Sequence, residues 1–325
     1  MVAAISFTAK VNPYTFLVGS ARSGTTLLRR IVDAHPLIAI ARETHWVPRF
    51  YEQRTGVTDE GDVTAELVSQ LVGYRRFPRF RVPEEELWKL VERDEPVSYA
   101  AFVSRFYDLV GEARGKSLVG DKTGAYARAL PTLHALWPAA RFVHLIRDGR
   151  DVALSVLNWK PDPGASRFST WEDDPVMTTA LWWSRNVGLA RQAGLTLPRR
   201  LYHEIRYEAL VTAPEAACAG LCAFLDLPYD EAMLRFHEGR TRHEPGLSAK
   251  RARLPITPNL RNWREQMSPD AVERFEAVAG ELLEELGYDR AFPRPRADLQ
   301  ARADDLRERA AAELRTRRRP VPSAW

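Results

Sequence analysis

Sulfur and long apolar runs are both scarce in this chain. Of 325 residues only two are cysteine, Cys218 and Cys222. Two cysteines cannot build the multi-bridge framework of a small secreted domain, and their spacing is not that of a zinc site. They stand four apart in a segment of helical pattern and share one face, so a pair of small core residues is expected. The longest apolar stretches, around residues 15–19 and 181–183, fall far below the roughly 18 residues a spanning helix needs. The opening MVAAISFTAK has neither an early positive cluster nor the long apolar core of a secretory signal. A cytoplasmic location with no membrane partner is the expectation. A strong charge of either sign is missing too: 47 Lys and Arg against 43 Asp and Glu leave a net charge of +4. That mild basic excess suits an anionic ligand as well as it suits nucleic acid. Much of it sits in RTRRRP at the carboxyl end, a run more often solvated than binding.

What is present is enough apolar residue, 45%, for a sizeable core. Strand-like runs occur at 15–19, 117–120, 141–146 and 201–207, with a shorter one at 37–41, and helix-like stretches lie between them. That alternation predicts an α/β fold, a parallel sheet flanked by helices. Helical patterns over 63–72, 84–93 and 99–114 read as a helical lid insertion after the first βα unit. Residues 269–286 read as a helix stopped by Gly287, and 299–314 as a charged, Ala-rich helix beyond a Pro/Arg linker. The division expected is one main domain over 1–290 and a basic helical extension over 291–325.

The strand at Thr15 runs into Gly19-Ser20-Ala21-Arg22-Ser23-Gly24-Thr25-Thr26, a small-residue loop followed by a helix start. Glycines let successive backbone N–H groups turn toward one anion, and the positive end of the helix adds attraction. Gly19 and Gly24 have Walker A spacing, yet Thr25 stands where its lysine belongs. A P-loop-type loop without that lysine disfavours a nucleotide triphosphatase. Arg22 supplies the cation instead, and Thr25 and Thr26 supply hydroxyls, which suits a 5'-phosphosulfate held with no obligatory metal. The bland alternative is a helix capped by Ser23 after a tight glycine turn.

A second anion motif follows the strand 141–146. Arg147-Asp148-Gly149-Arg150-Asp151-Val152-Ala153-Leu154-Ser155 puts an arginine at a strand end and a serine two helical turns later, able to converge on one phosphate. With both motifs in this order, the chain resembles the sulfotransferases that use 3'-phosphoadenosine 5'-phosphosulfate (PAPS). The first loop is similar to that family's 5'-phosphosulfate loop and RDGRDVALS to its 3'-phosphate motif. Within the family the pattern SARSGTTLLRRIVDAHPLIAIARETHWVPRF is most similar to tyrosylprotein sulfotransferases and their bacterial relatives.

The resemblance implies PAPS as co-substrate and no metal. Arg22, Ser23, Gly24, Thr25 and Thr26 would hold the 5' end, and Arg147 and Ser155 the 3'-phosphate. Tyr207 falls where the family contacts adenine, and Ser248 near its loop serine that reaches the donor. The acidic catalytic base falls on Glu43 and the stabilising lysine on Lys122. Small-molecule members carry Lys-Thr-His with the histidine as base, whereas the matching run here is Lys122-Thr123-Gly124, so a carboxylate is the natural replacement. Glu43 also follows the short strand 37–41, whose end would face the crevice beside the loop. His45 is the rival base, since an imidazole titrates near neutrality, and pairing with Arg42 or with a lid arginine is the structural alternative for Glu43. Departures from the family pattern are Trp159, with Lys160 as a substitute cation; Asn262, flanked by Arg261 and Arg264; and His45 itself. The partner implied is a small-molecule or peptide hydroxyl acceptor, with a homodimer as one assembly. The rival classes are a P-loop kinase-like phosphotransferase and, from the basic tail alone, a nucleic-acid-binding protein.

Overall fold

In the computed structural model of the chain, residues 12–158, 164–238, 255–257 and 261–317 are described. Five short strands, β1 (Thr15–Val18), β2 (Ile38–Arg42), β3 (Leu118–Lys122), β4 (Arg141–Ile146) and β5 (Tyr202–Arg206), pair in parallel in the order β2-β3-β1-β4-β5. The runs TFLV and FVHLI are buried throughout, as strands covered on both faces must be. Side chains alternate across the sheet. Phe16, Val18 and Phe142 therefore enter one core, with Phe102, Phe106 and Tyr107 of α5 (Tyr99–Glu112). Leu17, Val143 and Leu145 enter another, with Leu28 and Ile31 of α1 (Thr25–Ala34) and with Leu221 of α10 (Pro214–Phe224). Cys218 and Cys222 lie in α10, buried and unbridged, with the Cys222 sulfur 3.4 Å from that of Met233.

The three helical patterns expected as a lid divide in two. Helix α5 is the crossover that carries β2 to β3 and packs on the sheet, while α2 (Val47–Glu52), α3 (Ala65–Val72) and α4 (Glu84–Val91) form the inserted layer. Helix α6 (Leu130–Leu136) follows β3, and α7 (Gly149–Leu157) follows β4. A third core joins Ile146 and α7 to the 20-residue α8 (Pro175–Gly194), to α12 (Pro269–Glu285) and to α13 (Ala297–Arg317). Helix α13 contributes Leu299, Ala303, Leu306 and Ala310, a four-three-four spacing that makes a single apolar stripe on an otherwise charged helix. Short helices α9 (Tyr207–Thr212) and α11 (Trp263–Gln266) complete the set. Among the described residues no helix is long and apolar enough to cross a membrane.

The chain leaves β1 toward β2 on one side and later crosses from β3, past β1, to β4. Beyond the carboxyl ends of β1, β3 and β4 this reversal opens the crevice where open α/β sheets bind ligands.

Candidate active site

The loop leaving β1 is shaped by its neighbours. Gly19 has φ +154°, and a Cβ there would lie 2.6 Å from the Leu145 carbonyl oxygen; Gly24 has φ +96°, and its Cβ would strike the Tyr207 ring at 2.5 Å. Arg22 also takes a left-handed conformation, φ +71°. Gly24, not Ser23, is the N-cap of α1, and no side chain caps that helix. The bland reading of Ser23 as a helix cap therefore fails. Its hydroxyl is buried, and neither it nor that of Ser20 has a hydrogen-bond partner among the described residues. Buried hydroxyls beside a helix start with no side-chain cap suit an anion.

Arg22 and Ser155 are 133 residues apart in sequence, and the Arg22 Nε donates to Ser155 Oγ at 2.9 Å. Helix α7 brings the serine there, its first turn capped by Asp148, whose carboxylate accepts from Arg150 N. Arg147, at the end of β4, is only 6% exposed. Its guanidinium lies 4.2 Å over the Tyr207 ring and gives one N–H to Asp151 at 3.3 Å, while its Nε is buried with no partner among the described residues. Burial first, then the charges of Arg261 and Arg147, lower the Arg22 guanidinium from its ordinary range. The three guanidiniums thus repel one another across this side of the cleft, an excess of positive charge that suits an anion.

One strand over, Glu43 and Lys122 extend the ends of β2 and β3. Glu43 N donates to Lys122 O at 3.0 Å, and the Lys122 ammonium reaches Glu43 Oε1 at 2.5 Å. The other carboxylate oxygen meets Arg76 of the inserted layer at 3.1 Å and the His45 imidazole at 3.7 Å. Glu43 (φ +40°) and His45 (φ +56°) are both left-handed, strain of the kind kept at functional turns. The turn is held from below: Tyr126 OH pairs with Thr44 Oγ1 at 2.6 Å and accepts from Val47 N, and Tyr99 OH donates to Val47 O at 2.6 Å.

Burial by itself raises the proton affinity of a carboxylate. Burial does push Glu43 up, but the His45 imidazole and the Lys122 ammonium together outweigh it and hold the carboxyl well below the usual range. At 3.7 Å the imidazole is too far for a full hydrogen bond, so Lys122 at 2.5 Å is the partner to weigh most. Lys122 is a buried residue, and burial lowers its own proton affinity despite Glu43. Asp121 faces the aromatic core instead, where burial pushes its carboxyl up to about 6.

Arg22, Ser23, Gly24, Thr25, Thr26, Arg147, Ser155 and Tyr207 are thus gathered at the carboxyl ends of the strands, beside Glu43 and Lys122. Ser248, Trp159 and Lys160 lie outside the described residues. Asn262 caps α11 with its side chain, Arg264 lies 4.4 Å over the Trp263 ring, and the charge of Arg261 is felt at Arg22. Arg76, Asp151 and the Arg261 contribution to the charge at Arg22 were not singled out from sequence. Only Asp151 left a signal, its place four residues after Arg147 on a helix. Among the described residues no group of three His, Cys, Asp or Glu could hold a metal ion.

The family profile described as the sulfotransferase family matches residues 13–231. Protein-tyrosine sulfotransferase 1 of Danio rerio is 26% identical over 294 residues, which span 85% of this chain and 72% of that protein. Two solved structures share the fold. The sulfotransferase domain of the Synechococcus PCC 7002 olefin synthase has a TM-score of 0.55 at 23% identity, covering 86% of this chain and 95% of its own. The sulfotransferase domain from the curacin biosynthetic pathway has a TM-score of 0.54 at 20% identity, covering 87% and 100%. The cytoplasmic location expected from sequence is overturned by these relatives, since protein-tyrosine sulfotransferases are Golgi membrane enzymes. That expectation rested on missing segments, and a missing segment does not place a chain in a compartment.

Proposed function

The chain belongs to the sulfotransferase family, and from that premise we propose that it moves the sulfuryl group of PAPS onto a phenolic hydroxyl, with Glu43 as general base. The observation that carries the reading is the contact of Arg22 with Ser155, which joins the 5' and 3' anion motifs into one cationic cleft. Residues 19–26 would cradle the 5'-phosphosulfate, Arg147 and Ser155 the 3'-phosphate, and Tyr207 the adenine, with Ser248 retained from the resemblance. The buried, unpartnered Nε of Arg147 and the glycines that admit no Cβ support the fit. Residues 1–290 would carry this chemistry, with 291–325 as its extension.

Transfer is direct: the acceptor oxygen–sulfur bond forms as the bridging oxygen–sulfur bond breaks, and the acceptor proton goes to Glu43. Lys122 would turn from Glu43 to the bridging oxygen and neutralise the charge growing there. Glu43, released from an ammonium 2.5 Å away, then becomes a stronger base. Even so, a carboxylate held this low favours an acceptor that parts with its proton readily. A phenol, with a reference pKa near 10, does so far better than an alkyl alcohol. The relatives are named for protein tyrosine, which makes a tyrosine in a peptide the acceptor we favour.

Calorimetry with adenosine 3',5'-bisphosphate in excess chelator tests the donor. Binding is expected without magnesium and more tightly than ATP with it; a strict magnesium requirement, or tighter ATP binding, would point to the kinase-like alternative.

A further inference from the structure

Arg147 does not stand alone at the end of β4. Its Nη2 donates to Asp151 Oδ2 at 3.3 Å, and the other oxygen of that carboxylate accepts the backbone N–H of Trp263 at 2.9 Å. Trp263 is 112 residues away, in the segment that also brings Arg261 toward Arg22. The same segment is clamped a second time. The Arg150 guanidinium lies 3.7 Å under the Trp263 ring, is bonded through two nitrogens to Asp148, and gives a third N–H to Glu276 of α12 at 2.6 Å. Glu276 in turn accepts from the backbone N–H groups of Ala291 and Phe292. Arg150 and Glu276 are each 1% exposed, so their pairing holds only while both charges are fully met.

Resting on the PAPS reading above, we propose that Asp151 is a positioning residue for the 3'-phosphate, and that it orients Arg147 only while residues 261–264 are docked on α7. The physical reason is valence. Burial pushes the Asp151 carboxyl up, against the lowering effect of Arg147 and of the Trp263 N–H. One oxygen is taken by Trp263 and the other fixes Nη2 of Arg147, whose Nε stays buried and without a partner among the described residues, left for a phosphate to meet. Without the Trp263 N–H, the carboxylate would lose one of its two anchors and Arg147 its fixed direction. Recognition of the 3'-phosphate therefore depends on a segment far from the motif that carries it.

The test is a pair of dissociation constants on the full chain, for adenosine 3',5'-bisphosphate and for adenosine 5'-phosphate, whose ratio reads the 3'-phosphate alone. Asp151→Asn is expected to cut that ratio about tenfold while adenosine 5'-phosphate binds within about twofold of the parent. Trp263→Ala, which removes the ring clamped by Arg150 and so loosens the segment that carries the backbone donor, is expected to do the same, and Trp263→Phe, which keeps a ring over Arg150, to retain the parent's ratio. Parallel loss of both nucleotides, an unchanged ratio, or tighter bisphosphate binding in Asp151→Asn would each overturn the proposal. A parent protein with no preference for the 3'-phosphate would instead overturn the donor reading, and this inference with it.

Discussion

The two halves of the cleft are built on opposite terms. On the donor side Arg147, Ser155 and Thr25 are 6, 7 and 8% exposed, and their neighbours are fixed by backbone turns, ring contacts and bonds across the fold. On the base side the side chains of Glu43 and His45 are 41 and 38% exposed, and Glu43 is held by ion pairs that can be exchanged. Groups fixed in this way serve affinity, because they are reorganised little when an anion arrives. A wetter set of exchangeable pairs serves turnover, because a base must change partners during the reaction. Substitutions on the two sides should therefore separate kcat from donor binding.

The sharpest separation is expected from Glu43→Gln. Turnover should fall between roughly 10²- and 10³-fold, as loss of a general base does, while the donor dissociation constant stays within about threefold. Single-turnover kinetics beside calorimetry measures both. If donor affinity falls as far as turnover, the two halves are one electrostatic unit and the comparison is broken.

Arg147→Ala should show the opposite split. A buried phosphate deprived of a charged, bidentate partner loses about 2 kcal/mol, roughly 30-fold in donor affinity, with kcat at saturating donor changed much less. The preference for nucleotides bearing a 3'-phosphate should go with it. An intact preference would remove Arg147 from that site.

The donor side was also the more legible in sequence, for a physical reason. A glycine loop between a strand and a helix, and an arginine closing a buried strand, are local patterns, and backbone geometry fixes what they do within ten residues. The parallel sheet followed from similar local signals, with β4 matched at both ends and no other strand boundary off by more than two residues. What stayed hidden depends on distance. Arg22 meets Ser155, and Trp263 meets Asp151, across more than a hundred residues each, and no pattern in the intervening chain announces either contact. Helix α5 looked like part of a lid because its apolar period does not say which surface it covers. Lys122 taken alone reads as a surface lysine; the strand next to it, with Glu43 at its end, is what makes burial at 4% tolerable. The direction of the Glu43 shift was likewise out of reach, since it turns on partners contributed by β3 and by the inserted layer.

The smallest effect, and the one that sharpens the base side most, belongs to His45. Glu43 is depressed below the ordinary carboxylate range, so its unprotonated form persists as pH falls and is lost only below that range. The acid limb of kcat/KM, which reports the free enzyme, should lie correspondingly low. The imidazole at 3.7 Å contributes to that depression from a half-exposed position, where solvent screens it. His45→Ala should therefore move the acid limb upward, toward an ordinary carboxylate, while turnover on the pH plateau falls only about threefold. The sign distinguishes the two candidate bases. Removing a neighbour that stabilises the carboxylate raises the limb and spares the plateau, whereas removing the base itself abolishes the plateau and leaves no limb to move. A pH profile of kcat/KM from about pH 2 to 9 for the parent, His45→Ala and Glu43→Gln reads both outcomes. If His45→Ala is inactive across the range while Glu43→Gln keeps its plateau, the imidazole is the base, and the Lys122–Glu43 pair serves only to hold the lysine.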